Sequence, residues 1–269
     1  MNLSKRKVVL LVACIIILLF SLFLLQPVPQ PMLDVQPAIA NAINFLELTA
    51  EPHALLWLDV MHRRFGIPEF ADSLQRYDQM LNERLGTQLQ LRAFRRIADF
   101  DNPMQEKDLG VFVGLDSIVV PALYCDRFGL PSDYAELLKE QTRLGKYELT
   151  HVLLACIWIS ENGCEVPLSD SLINNLYIAN AVLINTDPDV EDLELEAAAF
   201  LYLAGQSNRV DAAFIERVVD AQNDDGGWSI SGDFTEESEW HPTILGLLLL
   251  LHIGFPSGSY PSILAPVSP

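Results

Sequence analysis

Two kinds of helical segment alternate along this chain, and the alternation limits the folds that it can adopt. One kind is apolar on nearly every side, and the other is amphipathic with a charged face. The apolar segments are residues 117–124, 151–159, 195–203 and 243–253, and the amphipathic ones are residues 68–85, 132–144, 169–183 and 210–222. A helix that is apolar all round must be surrounded by protein, whereas one with a polar face lies at the periphery. We therefore expect an all-α domain in which outer helices wrap an inner set.

The turns between these segments also repeat. Residues 64–68 (RFGIP) recur almost unchanged as residues 127–131 (RFGLP), and residues 253–256 (IGFP) are a shorter echo. Each has a glycine where a helix can end in the left-handed conformation, then an apolar residue and a proline that stops the helix. Repeated helix ends of this kind indicate helical hairpins, which a closed ring and a superhelical solenoid would both contain.

The segment 213–228 is the most distinctive part of the chain. Phe214, Val218 and Ala221 share one face of an amphipathic helix, since residues three and four apart are neighbours on a helix. An acidic turn, two glycines and Trp228 follow. Because glycines allow close backbone approach, we expect Trp228 to fold back onto the preceding helix.

This segment resembles the Gln–Trp repeat of the terpenoid cyclases and protein prenyltransferases, whose shared fold is an α/α toroid. The resemblance implies an inner ring of helices wrapped by an outer ring, with the repeat in a mainly structural role. It also makes several residues in and after the segment candidates for the motif or for a cavity. These are Gln222, Asp224, Asp225, Gly227, Trp228, Trp240 and His241.

Residues 240–247 (WHPTILGL) resemble the region of protein prenyltransferase β subunits in which a histidine ligates zinc. The family pairs that histidine with an upstream Asp-x-Cys, which this chain lacks, and zinc needs three or four ligands. We therefore predict no metal and no cofactor, with His241 as the one residue at which the resemblance would put a zinc ion. Pro242 suits the start of a helix, where the helix dipole disfavours a charged His241.

Catalytic motifs are mostly missing. The squalene-cyclase acid motif Asp-x-Asp-Asp does not occur, nor does GxSxG, Walker A, GxGxxG or HExxH. Asp225 and His241 remain as candidate catalytic residues. Acidic turns at residues 187–192 and 233–239 offer oxygen ligands for calcium or magnesium, although solvated turns are the simpler interpretation. The other histidines, His53, His62, His151 and His252, are scattered along the chain. We expect His151 and His252 to lie in the core or at its rim, because they are in apolar helical segments.

The N-terminus predicts a membrane anchor. Lys5, Arg6 and Lys7 precede an unbroken apolar run over residues 8–25. A helix of that length spans about 27 Å, close to the hydrocarbon thickness of a bilayer. Basic residues on this flank favour a cytoplasmic N-terminus, so we expect the rest of the chain outside the cytoplasm, on a single-pass cell-membrane protein.

The domain boundaries follow from this anchor. Residues 1–7 are predicted as the cytoplasmic flank, 8–25 as a transmembrane signal anchor, 26–37 as a proline-rich linker, 38–256 as the toroid domain and 257–269 as a C-terminal tail. Cleavage of a secretory signal after residues 38–40 (AIA) is the alternative, although that site lies far beyond the apolar run.

The charge of the chain limits its partners. With the three basic residues of the flank set aside, fourteen basic side chains face thirty-six acidic ones, a net charge of about −22. We therefore expect no nucleic-acid partner and no contact between the domain itself and anionic lipid headgroups.

Three cysteines lie outside the predicted anchor: Cys125, Cys156 and Cys164. An oxidising compartment allows one disulfide among them, and the sequence does not determine the pairing. A buried thiol is the default for Cys156, because it lies in an apolar helical segment.

These features favour a domain that binds a ligand or a protein in a central cavity or at its mouth, without catalysis. Two alternatives stay open: an isoprenoid-handling enzyme of cyclase or prenyltransferase type, and a polysaccharide-active enzyme, which rests on fold analogy alone. Aromatic walls with a buried carboxylic acid would favour the first alternative, and an open groove of Asp, Arg and Trp the second. A cavity filled by side chains would favour a structural or protein-binding role.

The orientation of the anchor can be tested with a reporter fused after Pro269. We expect reporter activity outside the cytoplasm, and reversing the charges of Lys5, Arg6 and Lys7 should perturb that orientation. Cytoplasmic activity of the unaltered fusion would contradict the orientation. A soluble product beginning near Asn41 would support signal cleavage instead.

Overall fold

The computed structural model describes residues 33–83, 88–184, 189–233 and 235–265. The predicted anchor at residues 8–25 lies outside these ranges. Within them, no helix combines the length and the apolar character that crossing a membrane requires. The chain divides into two compact units, Met1–Asp34 and Val35–Pro269, and the second is described below.

The prediction of an all-α domain is confirmed, since the described residues form thirteen α-helices and no strand. An isolated bridge pairs Trp228 with Glu239. The helices are α1 (Gln36–Glu47), α2 (Pro52–Phe65), α3 (Ser73–Glu83), α4 (Gln88–Phe94), α5 (Glu106–Leu109), α6 (Asp116–Leu123), α7 (Cys125–Phe128), α8 (Tyr134–Leu144), α9 (Lys146–Glu161), α10 (Asp170–Leu183), α11 (Asp192–Leu203), α12 (Ala212–Asp220) and α13 (Trp240–Gly254).

Burial follows the predicted division into two kinds of helix. The residues that the pattern puts inside are buried: Val119, Ala155, Ala199 and Leu248. Glu140 on α8 and Glu216 on α12 are exposed, as an outer helix requires. The sequence pattern misses α2 as a core helix, because Asp59 and several basic residues interrupt its apolar character. Asp59 is buried because it pairs with Arg63 one turn later, at 2.8 Å.

Six helices, α2, α4, α6, α9, α11 and α13, pack against one another in that order, and α13 also contacts α2. We call them the core helices. Outside them, α1 packs on α13, α3 on α2, α8 on α9 and α10 on α11. Along the chain, a connecting segment leads into each core helix. The residues at the start of each core helix therefore lie next to that connection.

The starts of the core helices lie together. The Tyr147 hydroxyl near the start of α9 donates to Asp192 at the start of α11, at 2.7 Å. Asp192 in turn bonds His241 at the start of α13, at 2.7 Å. Gln90 near the start of α4 donates to Asp116 at the start of α6, at 2.6 Å.

The ends of the same helices also lie together. The rings of Phe65 on α2 and Tyr202 on α11 lie 4.9 and 5.9 Å from the ring of His252 near the end of α13. Asn162, just after α9, donates to the carbonyl of Leu123, the last residue of α6, at 3.2 Å. The core helices are therefore parallel, and their starts form one end of the domain.

The C-terminal segment crosses the opposite end. The Ile263 carbonyl accepts from Arg63 Nη2 at 2.8 Å, and the Glu161 carboxylate accepts from the backbone amides of Ile263 and Leu264 at 3.0 Å each. The side chains of Ile263 and Leu264 are buried. The segment predicted as a tail from residue 257 is therefore packed against the domain as far as Ala265, whose amide donates to Ile97 O at 2.8 Å.

The repeated glycine turns have different outcomes. Gly66 ends α2 in the left-handed conformation and donates to His62 O, as predicted. Gly129 has a positive φ but an extended ψ of 174°. Gly254 is still part of α13 and does not have a positive φ. The prediction of a left-handed helix end at residues 253–256 is therefore wrong. A side chain on Gly254 would lie 2.7 Å from Ile39 Cδ1, so close packing of α1 accounts for this glycine.

The same packing bears on the cleavage alternative. Ala38 and Ile39 are buried inside α1, so cleavage after residue 40 would remove part of the core.

A disulfide joins Cys125 on α7 to Cys164 beyond the end of α9, which resolves the pairing that the sequence leaves open. Cys156 is a free buried cysteine, as expected. Burial raises the pKa of its thiol to about 12, so the thiolate that reacts with electrophiles is disfavoured.

The buried His252 predicts a pH dependence of stability. Its side chain is 5% exposed, and burial, aided by the charge of Arg64 and opposed by the hydrogen bond to Leu248 O, lowers its pKa to about 4. The unfolded chain binds this proton below about pH 6.5, whereas the folded chain does so only near pH 4. Wild-type stability should therefore fall, relative to that of His252→Gln, by on the order of 3 kcal/mol between pH 7 and pH 4.

Urea unfolding of both proteins across this range measures the difference. Parallel pH profiles for wild type and variant would contradict the prediction, because acid effects shared by both proteins cancel in the comparison.

Candidate functional site

A cavity of about 220 Å³ lies at the end of the domain where the core helices start. Its apolar lining is formed by Leu56, Trp57, Phe94, Ile97, Leu115, Val119, Leu154, Trp158 and Trp240. Its polar lining is formed by His53, Gln90, Asp116, His151 and His241. The side chain of His241 is 37% exposed, so the cavity reaches solvent at this end.

The parallel core helices explain this gathering of polar groups. His53 is the second residue of α2, Asp116 the first of α6, and His241 the second of α13. His151 lies in the second turn of α9. These residues are far apart in the sequence, but each occupies the first two turns of its own helix, so the common direction of the helices brings them together.

Two buried carboxylates lie next to two of the cavity histidines, His241 and His151. Asp192 accepts from the Tyr147 hydroxyl and bonds His241 Nδ1, each at 2.7 Å. Glu196 is 1% exposed, accepts from the Thr150 hydroxyl, and has one oxygen 3.2 Å from His151 Nδ1. Buried charges require partners of this kind.

The second oxygen of Glu196 is less well matched. Oε2 lies 3.5 Å from His241 Nε2, and the geometry of this contact is that of a charge interaction and not of a hydrogen bond. Among the described residues, Oε2 therefore has no hydrogen-bond donor although it is buried. An unsatisfied buried acceptor next to a cavity costs free energy that a donor on a ligand could recover.

The surroundings of His241 act against the effect of the helix dipole that the sequence suggests. Burial favours the neutral ring, but the hydrogen bond to Asp192 and the charges of Asp192 and Glu196 outweigh it and raise the pKa of His241. The helix dipole acts at this position too, but two carboxylates within 3.5 Å of the ring dominate it.

His53 is the opposite case. Burial lowers its pKa, the charges of Asp116 and Glu51 oppose this effect, and the charge of His241 adds to it. Its ring meets the edge of Phe94 at 5.2 Å and forms no hydrogen bond with the described residues. His53 is therefore a neutral imidazole whose polar atoms remain available to a ligand.

The predicted site residues fall in two separate places. Trp240 and His241 line the cavity, whereas Gln222, Asp224 and Asp225 line a surface hollow of about 440 Å³ together with Asp220, Asn223 and Glu236. Asp225 accepts from Gly227 N at 3.0 Å and from the Ser238 hydroxyl at 2.6 Å, which are turn-forming contacts. Asp225 and His241 therefore do not form one catalytic pair.

Gln222 links the end of α12 to α1. Its Nε2 donates to Ala38 O at 2.8 Å and to Gly226 O at 2.9 Å, and its Oε1 accepts from Asn41 Nδ2 at 3.3 Å. A side chain on Gly226 would lie 2.4 Å from Asn41 O. The glutamine thus fastens two helices that are distant in sequence.

Trp228 is 1% exposed and folds back onto α12, as the sequence predicts. Its Nε1 donates to Val218 O at 2.9 Å, and its backbone amide donates to the Thr243 hydroxyl at 3.0 Å. Gly227 leaves room for Ser238, whose Cβ would lie 2.5 Å from an added side chain. These contacts give the Gln–Trp segment a packing role.

Within the described residues, no group of three or more His, Cys, Asp or Glu side chains is arranged to hold a metal ion. The sequence does not predict that His53 and His151 line the cavity. It also does not identify Asp192 and Glu196 as the buried partners of the cavity histidines. One signal was available: Glu196 is charged within an otherwise apolar helical segment, and such a residue needs a buried partner.

Comparison with protein-family models, with characterised proteins and with solved structures gave no match to this chain.

The packing role of Trp228 can be tested by a double-mutant cycle with Gly246. A side chain on Gly246 would lie 3.0 Å from the Trp228 ring, so Gly246→Ala should cost about 1 to 3 kcal/mol by overpacking. Trp228→Ala alone should cost about 3 to 5 kcal/mol. In the Trp228→Ala background, Gly246→Ala should cost almost nothing, because the ring is gone and alanine is the better helix former.

Urea unfolding of the four proteins gives the coupling energy. The same cost for Gly246→Ala in both backgrounds would contradict the contact. A loss below about 0.5 kcal/mol for Trp228→Ala would contradict a structural role for the motif.

Proposed function

We propose that this protein is a membrane-anchored, extracytoplasmic α/α toroid that binds a ligand in the cavity at the starts of its core helices, without catalysis. The observation that carries the proposal is the convergence of histidines, tryptophans and buried carboxylates from separate helices on one cavity. Concave sites with aromatic walls and a few placed polar groups are the usual form of a ligand pocket.

The toroid is supported by the order of helix contacts, which runs through the six core helices and returns to α2. The resemblance of residues 213–228 to a Gln–Trp repeat, and the packing role of Gln222 and Trp228, agree with it. The extracytoplasmic location is supported by the disulfide Cys125–Cys164, since disulfides persist mainly in oxidising compartments.

The lining favours a ligand with an apolar body and a hydrogen-bonding or cationic head. Trp57, Trp158 and Trp240 line the cavity, and indole rings attract cations. Asp116 supplies a carboxylate, and the described lining contains no lysine or arginine. An anionic head would find two carboxylates, Asp192 and Glu196, close behind the wall.

Binding without catalysis is supported by the state of His241. Both of its ring nitrogens face carboxylates, at 2.7 and 3.5 Å, so neither is directed at a ligand as a catalytic acid or base must be. Asp192 and one carboxylate oxygen of Glu196 are likewise engaged by the protein's own groups.

The alternatives are weighed by the same lining. The aromatic walls suit an isoprenoid chain, but a prenyl diphosphate would need cationic or amide donors for its phosphates, and the lining has no basic side chain apart from histidine. A polysaccharide enzyme would be expected to have an open groove that contains arginine, and no arginine lines this cavity among the described residues. His53 favours an acid–base enzyme as second candidate, because its neutral ring forms no hydrogen bond with the described residues.

Ligand binding can be tested with benzyltrimethylammonium, an aromatic cation, and benzoate, an aromatic anion. Three of the four tryptophans of the chain line the cavity, so tryptophan emission reports its occupancy. We expect a saturable change with the cation and none with the anion. Asp116→Asn should weaken cation binding about fivefold, through the loss of about 1 kcal/mol of attraction.

Asp133→Asn is the matched control, because it removes the same charge from an exposed position outside the cavity. Equal weakening by both variants, or binding of benzoate as tight as that of the cation, would overturn the proposed ligand class. Absence of saturable binding by either compound would overturn the ligand site.

A further inference from the structure

The most exposed large apolar side chains among the described residues lie in or beside the connections that lead into the core helices. Ten large apolar side chains are exposed in the described residues, and six of them have exposed fractions of 53% to 86%. The other four have exposed fractions of 38% to 45%. The six are Leu48, Val111, Val113, Leu144, Val182 and Ile230, and we call them the apolar rim.

Each of the five connections that lead into α2, α6, α9, α11 and α13 contributes to this rim. Leu48 follows α1 and Leu144 ends α8, while Val182 lies one residue before the end of α10. Ile230 lies beside the start of α11, because its carbonyl accepts from Asp192 N at 3.0 Å. Three of these connections, those into α2, α9 and α13, lead to the cavity histidines.

Single exposed apolar residues are ordinary on protein surfaces. The apolar rim differs from that background in two respects. Its members are the six most exposed of their kind among the described residues, and each lies in or beside a connection that leads to the start of a core helix. Apolar surface gathered around a concave site, with polar residues between, is the pattern of a docking surface.

Carboxylates lie among the rim residues. Glu51, Glu191, Glu237 and Glu239 are exposed in the same connections. Two basic residues, Arg143 and Lys146, are exposed there too, and Arg143 is paired with Glu140 on α8. A surface that combines apolar side chains with negative charge complements a partner that combines apolar side chains with positive charge.

We propose that the apolar rim docks a basic, apolar polypeptide segment, one lysine or arginine side chain of which enters the cavity. The proposal rests on the proposed function in that the cavity must accept a cationic head. It adds that the body of the ligand extends over the connections around the cavity, which a small molecule confined to about 220 Å³ would not reach.

The entering side chain meets groups suited to it. An aliphatic stem can lie along Trp57 and Trp240, and its charged head lies near Asp116. Glu196 Oε2, buried without a hydrogen-bond donor among the described residues, lies behind the adjoining histidines. A lipid surface fits less well, because the rim carboxylates would be pressed against headgroups and repelled by anionic ones.

Three fluorescent synthetic peptides test the proposal: one of leucine and lysine, one of leucine and glutamate, and one of serine and lysine. The rim variant combines Leu48→Ser, Val113→Ser and Val182→Ser. The matched control combines Leu172→Ser, Ile178→Ser and Phe255→Ser, which removes the same number of exposed apolar side chains outside the rim. Circular dichroism checks that both variants keep the helical fold.

We expect the leucine–lysine peptide to bind wild type and control within about twofold of each other, and to bind the rim variant at least about tenfold more weakly. The leucine–glutamate peptide should not bind. The serine–lysine peptide should bind weakly and equally to all three proteins, because it senses charge alone.

Equal affinity of the leucine–lysine peptide for rim variant and control would overturn the proposal. Binding of phosphatidylcholine vesicles by wild type that is lost in the rim variant would also overturn it, in favour of a lipid surface. If the peptide fails to bind while benzyltrimethylammonium still does, the polypeptide proposal is wrong and the cavity remains a ligand site.

Discussion

The need to neutralise two buried carboxylates governs how the core helices fit together. Asp192 and Glu196 lie one turn apart on α11, a helix that is buried on nearly every side. Their partners come from the start of α9 and the start of α13. Because a buried charge without a partner is costly, these contacts fix the relative height of three neighbouring helices. His151, His241 and Trp240 lie on the helices that these contacts align, so this part of the site and the register of the core share a cause.

Much of the fold is readable from the sequence, because burial on every side leaves a continuous apolar pattern. That pattern identifies α6, α9, α11 and α13, but it fails for α2, where Asp59 is hidden by its pair with Arg63. The site is only partly readable. Trp240 and His241 stand out beside a motif, whereas His53 and His151 become neighbours of His241 only through the parallel packing of distant helices. The raised pKa of His241 could not be foreseen either, since it depends on carboxylates that lie 49 and 45 positions earlier.

The Gln–Trp segment and the cavity have separate tasks. Gln222 and Trp228 use their polar atoms on backbone carbonyls of α1 and α12, and the acidic residues between them shape a turn. The segment thus holds an outer layer against α13, while α13 contributes its first two residues, Trp240 and His241, to the cavity. A motif that resembles a family can therefore mark a way of packing helices, with the ligand site built from residues that the motif does not include.

Contacts between the N-terminal and C-terminal parts of the domain determine when it can fold. Ile263 meets Arg63 across 200 positions, and Gln36 meets Gly254 across 218. Loop closure over such separations slows folding, because its entropy is lost before the contacts form. The last helix and the segment after it must both be present before the first helix gains its partners. A chain threaded across a membrane from its N-terminus would therefore stay incompletely folded, and dependent on whatever shields exposed apolar surface there, until its final residues had crossed.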